Sequence, residues 1–511
     1  MAGTEDGRSI LDGGVSRARF LKLAGLGAGL SLFPGSLVSA NAAGAQAAGG
    51  PEILSDSRYP IVAWWPPPPV PSTNPDVDGE TERRYAELAG AGFNTVIGGN
   101  GVSNLRANKL ALAACAAKGL RLVLDDNKLR EVIDPSSKVR SAGEEEPESA
   151  MQALTEQYSG QDAGARAVTD RQRAITRRIE ALSEGLILES SQHLSALAGI
   201  LLDDEPGKSL FSILQFAKAE VRRVFGGDEL PYVNVWPSHA SPKYALEAPS
   251  YTDYLQRYMS EVALPFLSFD HYPLLANERT TTDFFYNHAE IRRFAKEFDV
   301  PSWGFVQSIG FDGRAVGLGV RRRPEEAEIF WQINVALAYG VKGIQYFTYW
   351  TPKNNKVIFG NALITRDRKK TALYGYARRA NDFLQKVGGI LLPLISESVT
   401  HFGERRLPRG AEPFAGDDYV KAASGDAAIF GLFGNPNDAT ERYLLVVNRS
   451  PNKAATTRLT ISATDSSVDR FDPSVEAPGD PFVTQPLTGS PRFFTATMGA
   501  GRAILYRLRT A

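Results

Sequence analysis

Eight short runs rich in β-branched and aromatic residues, each parted from the next by a helical stretch, limit the possible folds of this chain more than any other feature. The runs are IVAWWPP (61–67), NTVIGGN (94–100), RLVLDD (121–126), GILLDDEP (199–206), PYVNVWPS (231–238), FLSFDHYP (266–273), SWGFVQSIG (302–310) and GIQYFTYW (343–350). Strands alternating with helices form parallel sheets, because a parallel neighbour is reached only by a long crossover. The stretch RRPEEAEIFWQINVALAYG before the eighth run has Pro324 at a first helical position and glutamates in the first turn, both N-terminal signals. Eight such units predict a (β/α)8 TIM barrel over residues 58–394, with an insertion at about 127–198. That insertion holds a charged piece, SAGEEEPES, and a long helix around AGARAVTDRQRAITRRIEALSEGL. From residue 395 to 511 the helical period gives way to short alternating strands such as AAIFGLFG, RYLLVVNRS and GRAILYRL, which predict an antiparallel β-sandwich. A chain of 511 residues is long enough for both units.

In such barrels the chemistry sits where the strands end at their C-terminal face. The strand ends here carry Trp64-Trp65, Asn100, Asp125-Asp126, Asp203-Asp204-Glu205, Asn234 with Trp236, Asp270-His271-Tyr272, Gln307 and Tyr349-Trp350. Three adjacent acids after the apolar GILL repel one another, a cost that a functional pocket would explain. Strand alternation would turn Asp203 and Glu205 to one side, into the barrel, and Asp204 to the other. Aromatic side chains offer flat apolar faces to sugar rings, and Asp, Asn, Gln and Tyr match sugar hydroxyls. Trp65, Trp236 and Trp350 are therefore read as sugar contacts, with Asp126, Asp203, Asp204, Asn234, His271, Tyr272, Gln307 and Tyr349 as polar partners. Trp303 and Trp331 are read as core. Glycoside hydrolysis needs an acid to protonate the leaving oxygen and a second carboxylate as base or nucleophile. Glu205 is the expected acid, its proton retained by the two aspartates before it, and Pro206 fixes the turn that follows.

Residues from about 60 to 400 resemble the superfamily of (β/α)8 glycoside hydrolases whose acid/base lies in Asn-Glu-Pro at the end of strand four, matched here by Asp204-Glu205-Pro206. The resemblance implies that Glu205 is the acid/base, Asp204 a hydroxyl-binding neighbour and Trp350, in YFTYW, the sugar platform. It also implies a C-terminal sandwich as accessory domain. That superfamily carries a nucleophilic glutamate at the end of strand seven, where this chain has Gln307, and an amide cannot attack an anomeric carbon. Asp270 is the preferred second carboxylate, with Asp126 and Asp203 in reserve. Asp203-x-Glu205 is also similar to the strand-four ending of chitinase-type enzymes, in which the substrate's N-acetyl group attacks; an earlier aspartate of that motif would fall at Leu201. A non-catalytic carbohydrate-binding protein of the cell envelope is the alternative from another class.

The N-terminal SRARFLK resembles the twin-arginine export signal, with Ala18 where the second arginine would stand, and a Gly-rich apolar stretch and Ala-x-Ala sites follow. Residues 1–47 are thus expected to be an export signal and flexible tail, placing the protein outside the cytoplasm. The apolar stretch, broken by Pro34, is too weak for a stable membrane span. With 57 basic and 58 acidic residues the net charge is −1, which gives no case for a nucleic-acid partner. The single cysteine, Cys115, lies in an apolar helical segment and is read as a buried thiol. No cofactor is expected, since VIGGNG (96–101) lacks phosphate-loop spacing, and no metal, since the five histidines lack ligand spacing. The RRR at 321–323 is read as a solvated helix start that could otherwise hold the acidic group of a sugar.

Overall fold

The computed structural model describes residues 51–70, 79–98, 103–135, 161–277, 279–316, 318–353, 356–462, 467–475 and 479–509. The segment read as an export signal, the SAGEEEPES piece and Asn100 lie outside them.

Eight parallel strands close into a barrel: β1 (Ile61–Trp64), β2 (Thr95–Ile97), β3 (Arg121–Leu124), β4 (Leu197–Asp204), β5 (Leu230–Val235), β6 (Leu267–Phe269), β7 (Ser302–Gln307) and β8 (Gly343–Phe347). Each pairs with its neighbour in sequence, and β8 closes on β1 through Ile61 beside Ile344. All eight runs extend beyond their strand into the loop that follows, and it is these overhangs that build the mouth of the barrel. Gly199 lets β4 approach β5, since a Cβ there would fall 2.3 Å from the Leu230 carbonyl oxygen. Between β3 and β4, the long helix Gln161–Ser190 buries Ile175, Ile179, Leu182 and Leu186, a stripe of helical period. It takes the ring position that a helix after β3 should hold.

The helix Glu326–Ala338 begins with a capping box between Glu325 and Glu328, so Pro324 stands just before the cap instead of at the first helical position. From Glu328 to Ala338 every residue of it is buried, because the C-terminal sheets cover the side that the barrel leaves open. Those sheets, seven- and three-stranded, follow from Ile395 onward. The strand Ala428–Asn435 shows why AAIFGLFG is apolar at both parities: Phe430 and Leu432 face the second sheet, while Ile429 and Phe433 belong to the barrel's core. Trp331 donates to the Arg449 carbonyl across this junction at 3.1 Å, and Trp331 and Trp303 are both core residues. Cys115 is also fully buried, which pushes its thiol pKa up. No described helix is long and apolar enough to cross a membrane.

Candidate active site

A cavity of about 600 Å³ opens at the C-terminal mouth of the barrel. Its polar side carries Asp204 and Glu205 from the end of β4, Asn234 from β5 and Asp270 after β6. Its apolar side carries Trp64, Trp236, Tyr272, Phe305 and Phe347, with Phe311 and Phe359 from a small antiparallel sheet above the barrel. Trp64 meets Phe305 edge-on at 5.3 Å, and Phe347 stacks on Tyr272 at 4.7 Å.

The acids are joined through one amide. Asn234 Nδ2 donates to Asp204 Oδ1 at 3.3 Å and to Asp270 Oδ1 at 3.1 Å, so these carboxylates are at most two hydrogen-bond lengths apart. Asn234 is itself held by Ser268, whose hydroxyl donates to its Oδ1 at 2.9 Å and accepts from Gln345 Nε2. Tyr232 donates to Gln345 Oε1 at 2.6 Å, which completes a buried polar layer beneath the cavity. Burial, then the negative charge of Asp204, pushes the Asp270 pKa up to about 7, against the hydrogen bonds from Asn234 and Tyr272. Glu205 follows the last strand residue with φ 60°, a left-handed conformation that non-glycine residues seldom adopt, and its N–H donates to the Asn234 carbonyl at 2.8 Å. This turn carries the Glu205 side chain to the cavity.

The expected site residues divide. Asp204, Glu205, Asn234, Trp236, Asp270 and Tyr272 meet on the cavity wall. Asp203 does not, because a register shift between Leu201 and Asp203 changes the alternation: Asp203 pairs beside Val233 and Asp204 beside the inward Asn234. Asp203 is buried behind β4 and accepts from the Asp204 N–H at 2.9 Å. Asp126 is fully buried as the cap of the helix Asn127–Ile133 and is gripped by Arg178 at 2.7 and 2.5 Å. Gln307 is consumed in the loops above β7, accepting from Leu274 N–H and donating to the carbonyls of Ile309 and Arg322. His271 stands behind Asp270, bonded to Asn287 at 3.0 Å and Thr281 at 2.7 Å.

The aromatic expectations also shift. Trp65, with φ 50°, packs on Phe347 and Phe359 from behind, and those two phenylalanines line the cavity in its place. Tyr349 is fully buried against Phe93, and Trp350 lies under the Arg84 guanidinium at 5.2 Å, so neither reaches the cavity. Trp64, Phe305, Phe311, Phe347 and Phe359 are cavity aromatics not among the expected sugar contacts. Trp64, Phe305 and Phe347 are inward residues of barrel strands, and the period of two points to them once the strand ends are fixed.

Donor atoms of His239, His271 and Asp283 lie within 4.8 Å of one another, which makes them the one group of metal-ligand type among the described residues. Burial, then His239, holds the His271 pKa down to about 4, and the positive charge of Arg321 acts on both rings in the same sense. That charge works against a second cation, and the group reads as a hydrogen-bonded support for the loop after β6.

By sequence, no family model and no curated protein matches the chain. Among solved structures, a β-galactosidase from Bacillus circulans sp. alkalophilus aligns with a TM-score of 0.54 and 8% identity, covering 89% of this chain and 99% of that one. A noncanonic maltogenic α-amylase from Thermotoga neapolitana aligns with a TM-score of 0.45 and 10% identity over the same shares. The first likeness shows the fold, a TIM barrel followed by a β-rich region, as the closed eight-strand order does independently.

Proposed function

We propose that the chain is an exported glycoside hydrolase that cleaves O-glycosidic bonds of an oligo- or polysaccharide. The observation that carries this reading is the meeting of Asp204, Glu205 and Asp270 on one aromatic-lined cavity at the barrel mouth. Barrels of this shape host many chemistries, so the site and not the fold bears the argument. In the proposed reaction Glu205 protonates the glycosidic oxygen as the bond from the anomeric carbon breaks. Asp270 takes a proton from the water whose oxygen attacks that carbon. A base whose pKa lies near 7 is matched to that work at neutral pH. Asn234 holds Asp270, and Asp204 and Asn234 offer hydrogen bonds to sugar hydroxyls. The chitinase-type alternative loses support, because its aspartate, Asp203, is turned away from Glu205's cavity.

The test is release of reducing ends from a panel of bacterial and plant glycans by the purified protein. Cleavage of at least one glycan, with inverted configuration of the first product by proton NMR, is the expected result. Binding without cleavage across the panel would assign the non-catalytic alternative. Support for export is SRARFLK with the Gly-rich apolar stretch and Ala-x-Ala sites after it, and if the route is the twin-arginine one, replacing Arg17 and Arg19 by lysine should leave the precursor in the cytoplasm.

A further inference from the structure

The cavity carries one arginine among its described lining residues, and no lysine. Arg321 belongs to the short strand Gly319–Arg321 of the small sheet, opposite Phe311. Its Nε donates to the Tyr272 carbonyl at 2.8 Å and its Nη1 to the Leu318 carbonyl at 3.1 Å. Both acceptors are neutral; they fix the plane of the guanidinium without neutralising it. Among the described residues no carboxylate lies within ion-pair distance of Arg321, and Asp283 acts on it only from longer range. A cation fixed in a wall shared with Phe311, Leu318 and Phe347 has lost part of its hydration and, among the described residues, lacks a direct counter-ion.

Its position also bears on what can enter. The same cavity holds Asp204, Glu205 and Asp270, which would repel an anionic sugar unless a cation met the sugar's charge. Tyr272 joins Arg321 to the acids, since its carbonyl binds Arg321 while its hydroxyl hydrogen-bonds Asp270. Arginine pairs with planar or tetrahedral oxyanions through parallel N–H bonds.

We infer that the saccharide unit seated in this cavity bears an acidic oxyanion, a carboxylate or a sulfate, and that Arg321 binds it. The inference rests on the carbohydrate reading above and adds the class of sugar. Calorimetric titration of the full chain with glucuronate, glucose 6-sulfate and glucose at low salt tests it. The wild type should bind at least one acidic sugar about tenfold more tightly than glucose. The preference should fall to near unity in Arg321→Gln and survive in part in Arg321→Lys. Which acidic sugar is preferred tells carboxylate from sulfate. Equal binding of all three by the wild type, or a preference that survives Arg321→Gln, overturns the inference and leaves the carbohydrate reading standing. Failure of every sugar to bind overturns both.

Discussion

Asp125-Asp126 follow β3 and Asp203-Asp204 end β4, and the two pairs come to opposite fates. After β3 each carboxylate is matched by an arginine: Asp125 by Arg130, with Ser103 adding a hydrogen bond at 2.6 Å, and Asp126 by Arg178. Both are buried and tie loops to helices. After β4, Asp204 shares the amide of Asn234 with another acid, Asp270, and Glu205 stands beside them on an open cavity. Carboxylates whose charge is answered by arginine hold structure. Where they gather against one another, burial and the charge of Asp204 raise the pKa of Asp270 beside an open cavity, the arrangement expected where protons are transferred.

The largest effect that would break this contrast belongs to the cavity acids. Glu205→Gln and Asp270→Asn should each lower kcat by about a hundredfold or more on any glycan the wild type cleaves, with unfolding midpoints close to wild type. An equal loss in Asp126→Asn with its fold intact would erase the distinction. Second comes stability. Arg178→Ala strands the buried Asp126 and should cost about 3 kcal/mol in urea unfolding, whereas Asp204→Asn, which removes a like charge, should cost little or add stability. Third, kcat/KM should rise with pH and reach half its plateau near 7 as Asp270 loses its proton to become a base. A fall through the same pH would exchange the roles of Asp270 and Glu205.

The same acid makes a smaller, linked mark on folding. Its pKa is raised in the folded state from 3.8 to about 7, so between those values the folded protein binds more protons than the unfolded chain. Stability from this group is therefore greatest below pH 4, declines as pH rises toward 7 and is level above it. Asp204→Asn should flatten that decline, as urea unfolding at several pH values would report.

Much of this was legible in the sequence, and the misses have particular causes. The eight strands were readable because parallel strands covered by helices are apolar on both faces. That Asp204, Glu205 and Asp270 would gather at the barrel mouth was readable, because each follows an apolar run at the C-terminal face. The phase of β4 was not, because the register shift at Leu202 turns Asp204 inward and Asp203 outward, and no residue type announces such a shift. Asp126 and Gln307 were misassigned because their partners, Arg178, Leu274 and Arg322, lie far along the chain. Trp350 lies three residues beyond the end of β8, where strand alternation no longer sets direction.

The measurement closest to the centre of this account is a carbon-13 NMR titration of the Asp270 carboxyl in the wild type and in Asp204→Asn. Burial beside the charge of Asp204 predicts a midpoint near 7 that moves down toward the ordinary aspartate range in the variant. A wild-type midpoint near 4, unmoved by the substitution, would contradict it.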